Sequence, residues 1–425
     1  MKILRFTGWA ALLIHSAPAI AGLGAPTGVS SSSVLPAGVG SPRFITAFGS
    51  YTQDLDDHGN VEGVGHDLNK TIRWKDVLLV QKTEEDKTTL RNVIQGKGFG
   101  ELDSPGFSTG EVNVAAIGFV PTFAYGVTER FTLGFALPIV TVDVSTATGF
   151  VKNQDAQTVI DQICASSTPV RCNEIKNQFA TAVDQMTEYY KFDPVRPQHT
   201  TKVGDARVIG KYSLWRQSNQ SIGISGDLTI PTGTPPNADK LIDVSTGDGD
   251  WGVGATLAYD AKRILDDYAV SPLLRDIGFG VYGGYTAKLP DKIVKRIPED
   301  GQLLPHDKEE VSRDLGDRIA LGTGLNYELP TTGLAFSAGY HFQYLTQTHY
   351  SGSLYSPDRY RQLEGKDPLA VLNSLSFSAG FSTVGFYRKK VFPVPMEANL
   401  SYGKVLAGRN IADADRISGE LVLFF

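Results

Sequence analysis

Along most of the chain, apolar and polar residues alternate with a period of two in segments of similar length. Between Phe131 and Ile139, the odd positions carry large apolar side chains, whereas the even positions carry Thr, Gly, Ala and Pro. Successive side chains of a β-strand point to opposite faces, so each segment predicts a strand with one apolar face. A length of about ten residues fits a tilted strand that crosses a membrane. The same pattern recurs at 221–230, 251–260, 318–328, 334–344, 374–382 and 396–402.

The alternation alone leaves a water-soluble β-sandwich open, because half-buried strands of such a protein show the same local pattern. Two further features favour a membrane barrel. The apolar faces end in Tyr, Phe or Trp, as do the aromatic girdles at membrane interfaces, and the connections alternate between short and long. A sandwich requires neither feature.

The connections predict the orientation and the number of strands. Short turns are expected at 125–129, 217–220, 330–332 and 388–393, and long loops at 144–202, 232–249, 289–316, 348–371 and 407–416. Outer-membrane barrels have an even number of strands, with short turns on the periplasmic side and long loops outside. A first strand at Arg43–Tyr51 gives the barrel an even number of strands. The sequence therefore predicts an all-β fold, a transmembrane antiparallel β-barrel of about 12 strands with long extracellular loops. A further pair at 69–96 would make about 14.

The loop at 144–202 has a pattern of its own. Ile175, Phe179, Met186 and Tyr190 recur at helical spacing together with Ala182. This spacing predicts an amphipathic helix, so we expect the loop to be partly helical. Such a helix would either cover the barrel mouth as a lid or pack against the rim as local loop structure. Both alternatives stay open.

The two ends of the sequence carry signals for export and for assembly. Lys2 and Arg5 precede a short apolar stretch and the small-x-small motif Ala19-Ile20-Ala21, which predicts a secretory signal peptide at 1–21. Residues 22–425 are then the barrel. The last predicted strand is apolar and ends at Phe425. It is similar to the C-terminal strand that the β-barrel assembly machinery recognises. We therefore expect export to the bacterial outer membrane, with that machinery and the outer-membrane lipids as partners.

Charge and cysteine content narrow the possible functions. The formal net charge of −6 becomes −8 without Lys2 and Arg5, and this balance gives no electrostatic reason to expect nucleic-acid binding. Cys164 and Cys172 are the only cysteines. In an exported protein, we expect them to form a disulfide inside the 144–202 loop rather than a metal or redox pair.

The motifs that often carry chemistry have simpler explanations here. Gly278–Gly283 matches the glycine pattern of dinucleotide-binding folds, but the flanking residues continue a strand instead of turning into a helix. Asp243, Asp248 and Asp250 lack the spacing of a defined calcium loop. His341 and the nearby serines are the only material for a nucleophilic pair. We expect no metal, no cofactor and no enzymatic activity.

The side chains on the polar faces of the strands are the candidate functional residues, because they would line the lumen of a barrel. Charges at membrane depth are tolerated only in water or in pairs. A salt-bridge network that fills the barrel and a wet channel with a charged wall are equally compatible with the sequence. Inward glycines at 278, 280, 284, 322 and 324 would leave volume for a channel. The candidates for the lumen are Arg207, Lys211, Asp227, Asp260, Arg318, Glu328, His341 and Glu397, with Glu420 on the last strand.

Three stretches resemble a known family. They run from Tyr125 through Leu137-Pro138, from Gly204-Asp205 through Leu214, and from Leu228 through Gly233, followed by Gly247-Asp248. These stretches are similar to the outer-membrane barrels named for the MetA pathway of phenol degradation, usually called transporters. The resemblance extends over about 111–425. It implies a barrel that passes small hydrophobic or aromatic molecules, but it defines no binding residues.

Taken together, these features predict an outer-membrane channel for passive passage of a small-molecule solute, apolar or aromatic. The alternative is a structural or surface-interaction barrel with a closed lumen, whose loops bind a partner outside. A lipid-modifying enzyme is the third hypothesis.

Overall fold

The protein folds as a closed antiparallel β-barrel. The computed structural model describes residues 4–5, 31–264, 276–329, 331–365 and 367–425. Within these residues the barrel has twelve strands, as the alternation predicts, and the alternative of 14 strands is wrong. The barrel strands are β1 (Gly40–Tyr51), β2 (Gly106–Thr128), β3 (Phe131–Ala136 and Ile139–Lys152), β4 (Gln198–Val203 and Ala206–Arg216), β5 (Gln220–Ile230), β6 (Gly252–Ala261), β7 (Ile277–Lys288), β8 (Arg318–Leu329), β9 (Leu334–Leu345), β10 (Ala370–Ser382), β11 (Met396–Arg409) and β12 (Asp415–Leu423).

The sheet closes because β1 pairs with β2 on one side and with β12 on the other. At the seam, the backbone N–H of Gly40 donates to the carbonyl of Phe425 at 2.9 Å, and the N–H of Phe425 donates back at 3.0 Å. The Phe425 ring lies 6.4 Å from the ring of Phe123 on β2, measured between centroids. Phe425, which we expect to be the assembly signal, therefore covers the junction of three strands.

The outward faces are apolar and rich in aromatic residues. On β2, for example, Phe119, Phe123 and Tyr125 are exposed, while Val120, Thr122 and Ala124 point inward. An exposed apolar band with aromatic ends is the surface that the hydrocarbon of a bilayer requires. Among the described residues, no helix is both long and apolar enough to cross a membrane.

Two of the long loops build a helical unit outside the barrel. Residues 69–96, considered above as a strand pair, instead form α1 (Trp74–Leu79) and α2 (Glu84–Gly96). The expected 144–202 loop is shorter, because β3 continues to Lys152 and β4 begins at Gln198. Between these strands the chain forms three helices, not one: α3 (Gln154–Ala165), α4 (Pro169–Ala180) and α5 (Ala182–Tyr189). We call α1–α5 the outer cap.

The outer cap is held by its own apolar core. Trp74 and Ile94 are fully buried in it, together with Val159 and Ile160 of α3. Phe179 of α4 packs edge-on against Trp74, with 6.2 Å between ring centroids. The β2–β3 hairpin supports this core, because its strands are much longer than the ~9–11 residues that cross a membrane.

The remaining elements of the loops are short. A three-stranded sheet joins Gln53–Leu55, Val61–Gly63 and Ile411–Ala412, and a second joins Asp291–Arg296, Lys308–Asp314 and His349–Ser351. Shorter pieces are Thr71–Ile72, a 3₁₀ turn at His66–Leu68, α6 (Pro357–Glu364), α7 (Val384–Arg388) and the pairing of Ile242–Asp243 with Leu4–Arg5. Apart from Leu4 and Arg5, the expected signal peptide lies outside the described residues.

Candidate functional site: the barrel interior

One side of the barrel interior is apolar. The inward residues of β1, β2 and β3 form a continuous buried cluster, which we call the apolar wall: Ile45, Val112, Val114, Ala116, Val120, Val140, Val142 and Val144. These strands also carry apolar residues on their outward faces. Near Val120 the outward residues are apolar as well, so the alternation is lost there. On β3, Val140, Val142 and Val144 alternate with polar outward residues, so the apolar face of this stretch points inward, the reverse of the pattern expected at membrane depth. The sequence analysis therefore missed this wall.

The loop at 231–251, which we call the inward loop, covers the apolar wall. Its residues Ile242 and Val244 belong to the same buried cluster as the wall. Polar contacts with β4 hold the loop in place: Gln198 Nε2 donates to the carbonyl of Ile242 at 3.1 Å, and Thr246 Oγ1 donates to the carbonyl of Val203 at 2.7 Å. The inward loop thus occupies part of the barrel interior.

A single carboxylate ties down both ends of the inward loop. Asp205 interrupts β4, where its Oδ1 accepts the N–H of Gly233 at 2.9 Å and its Oδ2 accepts the N–H of Asp248 at 3.1 Å. A Cβ added at Gly233 or at Gly247 would overlap the Asp205 side chain. Glycine at both positions lets the loop approach the carboxylate. We call this contact the Asp205 junction.

Two buried arginines connect the inward loop to the outer loops. Arg296 is fully buried, and its guanidinium bonds the Asp239 carboxylate at 2.7 Å and the carbonyls of Tyr190 and Lys191 at 2.8 and 2.6 Å. Arg313 donates to the carbonyl of Asp248. Three loops therefore meet at Arg296, and a shift in one of them disturbs the others.

The segment that precedes β1 enters the interior at the opposite end. Asp260, a predicted lumen residue on β6, accepts hydrogen bonds from the backbone N–H of Ser32 at 2.6 Å and from the hydroxyl of Ser31 at 3.0 Å. Leu35 is buried, and its N–H donates to Thr132 Oγ1 at 2.8 Å. Asp260 thus anchors this segment against the barrel wall.

The other predicted charges form two groups at different heights. In the group nearer the inward loop, Arg207 Nη2 donates to Asp227 Oδ2 at 2.7 Å, and Arg318 interacts electrostatically with both residues. The Arg318 guanidinium also donates to Thr286 Oγ1 at 3.3 Å. Asp248 of the inward loop also interacts electrostatically with Arg318, so this group combines two guanidiniums with two carboxylates.

The second group lies nearer the short turns. Arg43 Nε bonds Glu420 Oε1 at 2.9 Å. Glu397 interacts electrostatically with both of these residues and with Glu328. The buried Lys211 interacts with Asp260 and Arg43. The seven charged residues predicted for the lumen therefore lie on inward faces, and each of them except Glu328 interacts with a group of opposite charge.

His341 lies between a serine and a tyrosine. Its Nε2 is 2.9 Å from Ser376 Oγ, and its Nδ1 is 3.3 Å from the hydroxyl of Tyr282, an inward residue that the sequence analysis did not single out. A catalytic serine–histidine pair needs a third group that orients the imidazole. Here a neutral phenol occupies that position, and the arrangement is that of a polar interior network.

The inward glycines leave less volume than the sequence analysis assumed. A Cβ added at Gly278 would overlap the amide of Asn326, and one added at Gly322 would overlap the ring of Tyr282. Each glycine accommodates a larger polar side chain from the neighbouring strand. The expectation that these glycines open a channel is therefore wrong at these two positions.

The aspartates of the inward loop serve structural roles. Asp243 accepts the N–H of Asn237 at 2.6 Å, and burial raises the pKa of its carboxyl. Asp248 and Asp250 share the ammonium of Lys288, at 3.0 and 3.2 Å. Within the described part of the chain, no group of three or more His, Cys, Asp or Glu side chains could hold a metal ion.

Outside the barrel, Glu309 joins two further loops. Its carboxylate accepts the backbone N–H groups of Ser353 and Leu354 at 2.7 and 3.0 Å and the hydroxyl of Tyr360 at 2.5 Å. Burial alone would raise the pKa of Glu309, but these hydrogen bonds outweigh it and hold the pKa below its usual value.

The comparison with known families gives the identity of this barrel. The family described as "Putative MetA-pathway of phenol degradation" matches residues 95–362, more than half of the chain. The chain belongs to the MetA-pathway family. This family member is an outer-membrane β-barrel. No curated protein sequence matches it.

The solved structure of an outer membrane channel has the same fold at low sequence identity. The COG4313 outer membrane channel from Pseudomonas putida F1 aligns with a TM-score of 0.50 and 12% identity, covering 93% of this chain and 98% of that one. The toluene transporter TodX from Pseudomonas putida aligns with a TM-score of 0.29 and 12% identity, covering 94% of each chain. The toluene transporter TbuX from Ralstonia pickettii has a TM-score of 0.31 and 9% identity, and the alignment covers 94% of this chain and 91% of that one.

In this MetA-pathway family member, two of the three stretches that carry the family resemblance meet in space, together with Gly247-Asp248. Gly204-Asp205, Gly233 and Gly247-Asp248 lie in different parts of the sequence, and all of them belong to the Asp205 junction. Part of the resemblance thus lies in the contact that folds a loop into the barrel.

Proposed function

We propose that the protein is a passive outer-membrane channel for a small apolar or aromatic solute. The observation that carries the proposal is the apolar wall, which runs along the interior of a membrane-spanning barrel. The transfer of an apolar molecule from water to such a surface lowers its free energy, whereas a sugar would lose its hydrogen bonds to water there. The likeness to an outer membrane channel agrees with this proposal.

The inward loop sets the condition for passage. Ile242 and Val244 cover the wall, so a solute that follows the wall must displace them. Both contacts are apolar, so a solute of the same character can replace them, while the hydrogen bonds of Asp205, Arg296 and Arg313 keep the rest of the loop in place. The loop then acts as a constriction that favours apolar solutes over polar ones.

Uptake of a radiolabelled monoaromatic compound by cells tests the proposal. Val112→Thr combined with Val142→Thr makes the wall polar while keeping its shape. We expect uptake to fall several-fold in this variant. Ser337→Ala combined with Ser401→Ala changes the opposite, polar side of the interior and serves as the matched control, with uptake close to that of the unaltered protein. Equal uptake by cells with and without the gene would refute the proposal.

One observation favours a second function, a surface-interaction barrel with a closed lumen. The inward loop and the segment 31–39 occupy the interior from its two ends. A closed barrel would conduct no ions in planar bilayers, and deletion of the gene would leave uptake unchanged. Both results together would favour this second function.

A further inference from the structure

A cavity lies inside the outer cap, away from the barrel interior. Its volume is about 180 Å³, and it is bounded by α1, α2, α4 and α5 together with the end of α3 and one residue of β3. The apolar part of its surface comes from Leu90, Phe150, Ile163, Phe179 and Met186. The Phe150 and Phe179 rings lie 6.1 Å apart, centroid to centroid, so two aromatic faces meet at the cavity.

The size of the cavity limits what it can hold. An apolar protein cavity of roughly 150 Å³, lined by Leu, Ile and Phe, stays dry and binds benzene. The cavity of the outer cap is slightly larger, and the apolar part of its lining is of the same kind. It therefore has room for one aromatic ring with a small substituent.

The mouth of the cavity is polar and opens to solvent. Glu85 and Thr89 line it and are exposed. Gln81 and Gln185 also line it, and their amide nitrogens donate to backbone carbonyls at 2.9 and 3.0 Å. Their amide oxygens can accept a hydrogen bond from a hydroxyl or amino group on a ring.

The charges at the mouth select against anions. Arg171 is a cation on the lining, but it is already bonded to the carboxylates of Asp86 and Glu174. Glu85 adds a further negative charge. A benzoate-type ligand would meet net negative charge here, whereas a neutral ring would not.

We propose that this cavity is a binding site for a small, neutral, monocyclic aromatic molecule of the phenol type. The proposal rests on the proposed function in one respect, because it supplies a capture point for the solute that the barrel would pass. The site is physically connected to the route: Leu303 packs against both the outer cap and the cluster of Tyr190, Phe192 and Leu241, which reaches the inward loop.

The disulfide fixes one side of the site. Cys164 and Cys172, which we expected to be bridged, are joined between the end of α3 and the start of α4. The residues immediately before them, Ile163 and Arg171, both line the cavity. We therefore expect reduction of the bridge to weaken binding more than it weakens the barrel, which remains folded by its own strand pairing.

Binding can be measured without transport. The probe is 4-fluorophenol, followed by ¹⁹F NMR line broadening with the purified, detergent-solubilised full chain. Ala182→Phe fills the cavity from α5, where Ala182 is buried in the lining. Ala180→Phe makes the same change at an exposed position two residues earlier and is the matched control. Partition of the probe into micelles is the same in all samples.

We expect saturable broadening with the unaltered protein and with Ala180→Phe, and its loss with Ala182→Phe. Excess phenol should compete with the probe, whereas benzoate and glucose should not. This competition uses the unaltered protein, so it decides the matter even if Ala182→Phe fails to fold. Broadening that does not saturate, or that persists equally in folded Ala182→Phe, would overturn the site. Uptake without probe binding would contradict the cap site and support the channel. Probe binding without uptake would support the cap site and contradict the channel.

Discussion

The Asp205 junction offers the sharpest test of how the inward loop is held. Asp205→Ala removes the acceptor of two backbone N–H groups, those of Gly233 and Asp248, at a buried position. A buried donor without a partner costs ~1–3 kcal/mol, so two such donors sum to about 2–6 kcal/mol. Because ~1.4 kcal/mol is a factor of ten in an equilibrium constant, the released loop should gain population by at least about 30-fold.

Two measurements follow the release. In planar lipid bilayers, we expect Asp205→Ala to conduct more, with larger fluctuations, because the loop leaves the interior for part of the time. On intact cells, added trypsin should cut at Lys240, the one basic residue of the inward loop, faster than in the unaltered protein. Asp205→Asn keeps one acceptor oxygen and should lie between the two.

Asp184→Ala, an exposed aspartate on α5, is the control for loss of a negative charge. If Asp205→Ala matches the unaltered protein in both conductance and tryptic cleavage, the carboxylate does not hold the loop.

Three further predictions concern other contacts. Arg296→Met should loosen three loops at once, and limited proteolysis of intact cells should detect faster cleavage in all three, whereas cleavage in a single loop would contradict it. Because the pKa of Glu309 is lowered, its carboxylate stabilises the outer loops fully above the ordinary carboxyl pKa, and this stabilisation is lost as the pH falls through the lowered value. Hydrogen exchange, corrected for its intrinsic pH dependence, should show the loss. Glu309→Gln should abolish this pH dependence. Deletion of Phe425 removes two seam hydrogen bonds and should reduce the heat-modifiable, folded fraction on a denaturing gel; an unchanged fraction would contradict this role.

The sequence predicts the barrel well because its period-two signal is local. The inward or outward direction of a side chain on β9 or β10 follows from its position in the alternation alone, and Ser337, His341 and Ser376 all point inward as expected. The number of strands follows from the same signal and from the rule that barrels close with an even number. The helical spacing of Trp74, Val77 and Leu78 was also available in the sequence and indicates α1, which the strand-pair hypothesis overlooked.

The site could not be predicted to the same extent, because it depends on contacts between distant segments. The inward loop is rich in Gly, Pro and Asp, a composition typical of exposed turns, and nothing local shows that it folds into the barrel. Arg296 bonds mainly backbone carbonyls, which carry no sequence signal. The partners of the interior glycines lie on neighbouring strands, so the volume at Gly278 depends on Asn326.

The pairing of β1 with β12 has a consequence for the kinetics of folding. Arg43 lies opposite Val422, so the contact that closes the sheet joins segments near the two ends of the barrel sequence. Contacts of such large sequence separation form slowly, because the entropy of the intervening chain is lost before the contact compensates for it. Until β12 reaches β1, the sheet has two unpaired edges that can join other chains. Aggregation during biogenesis is therefore governed by how long these two edges stay open, and mutations at the seam should change the yield of folded protein far more than its final stability.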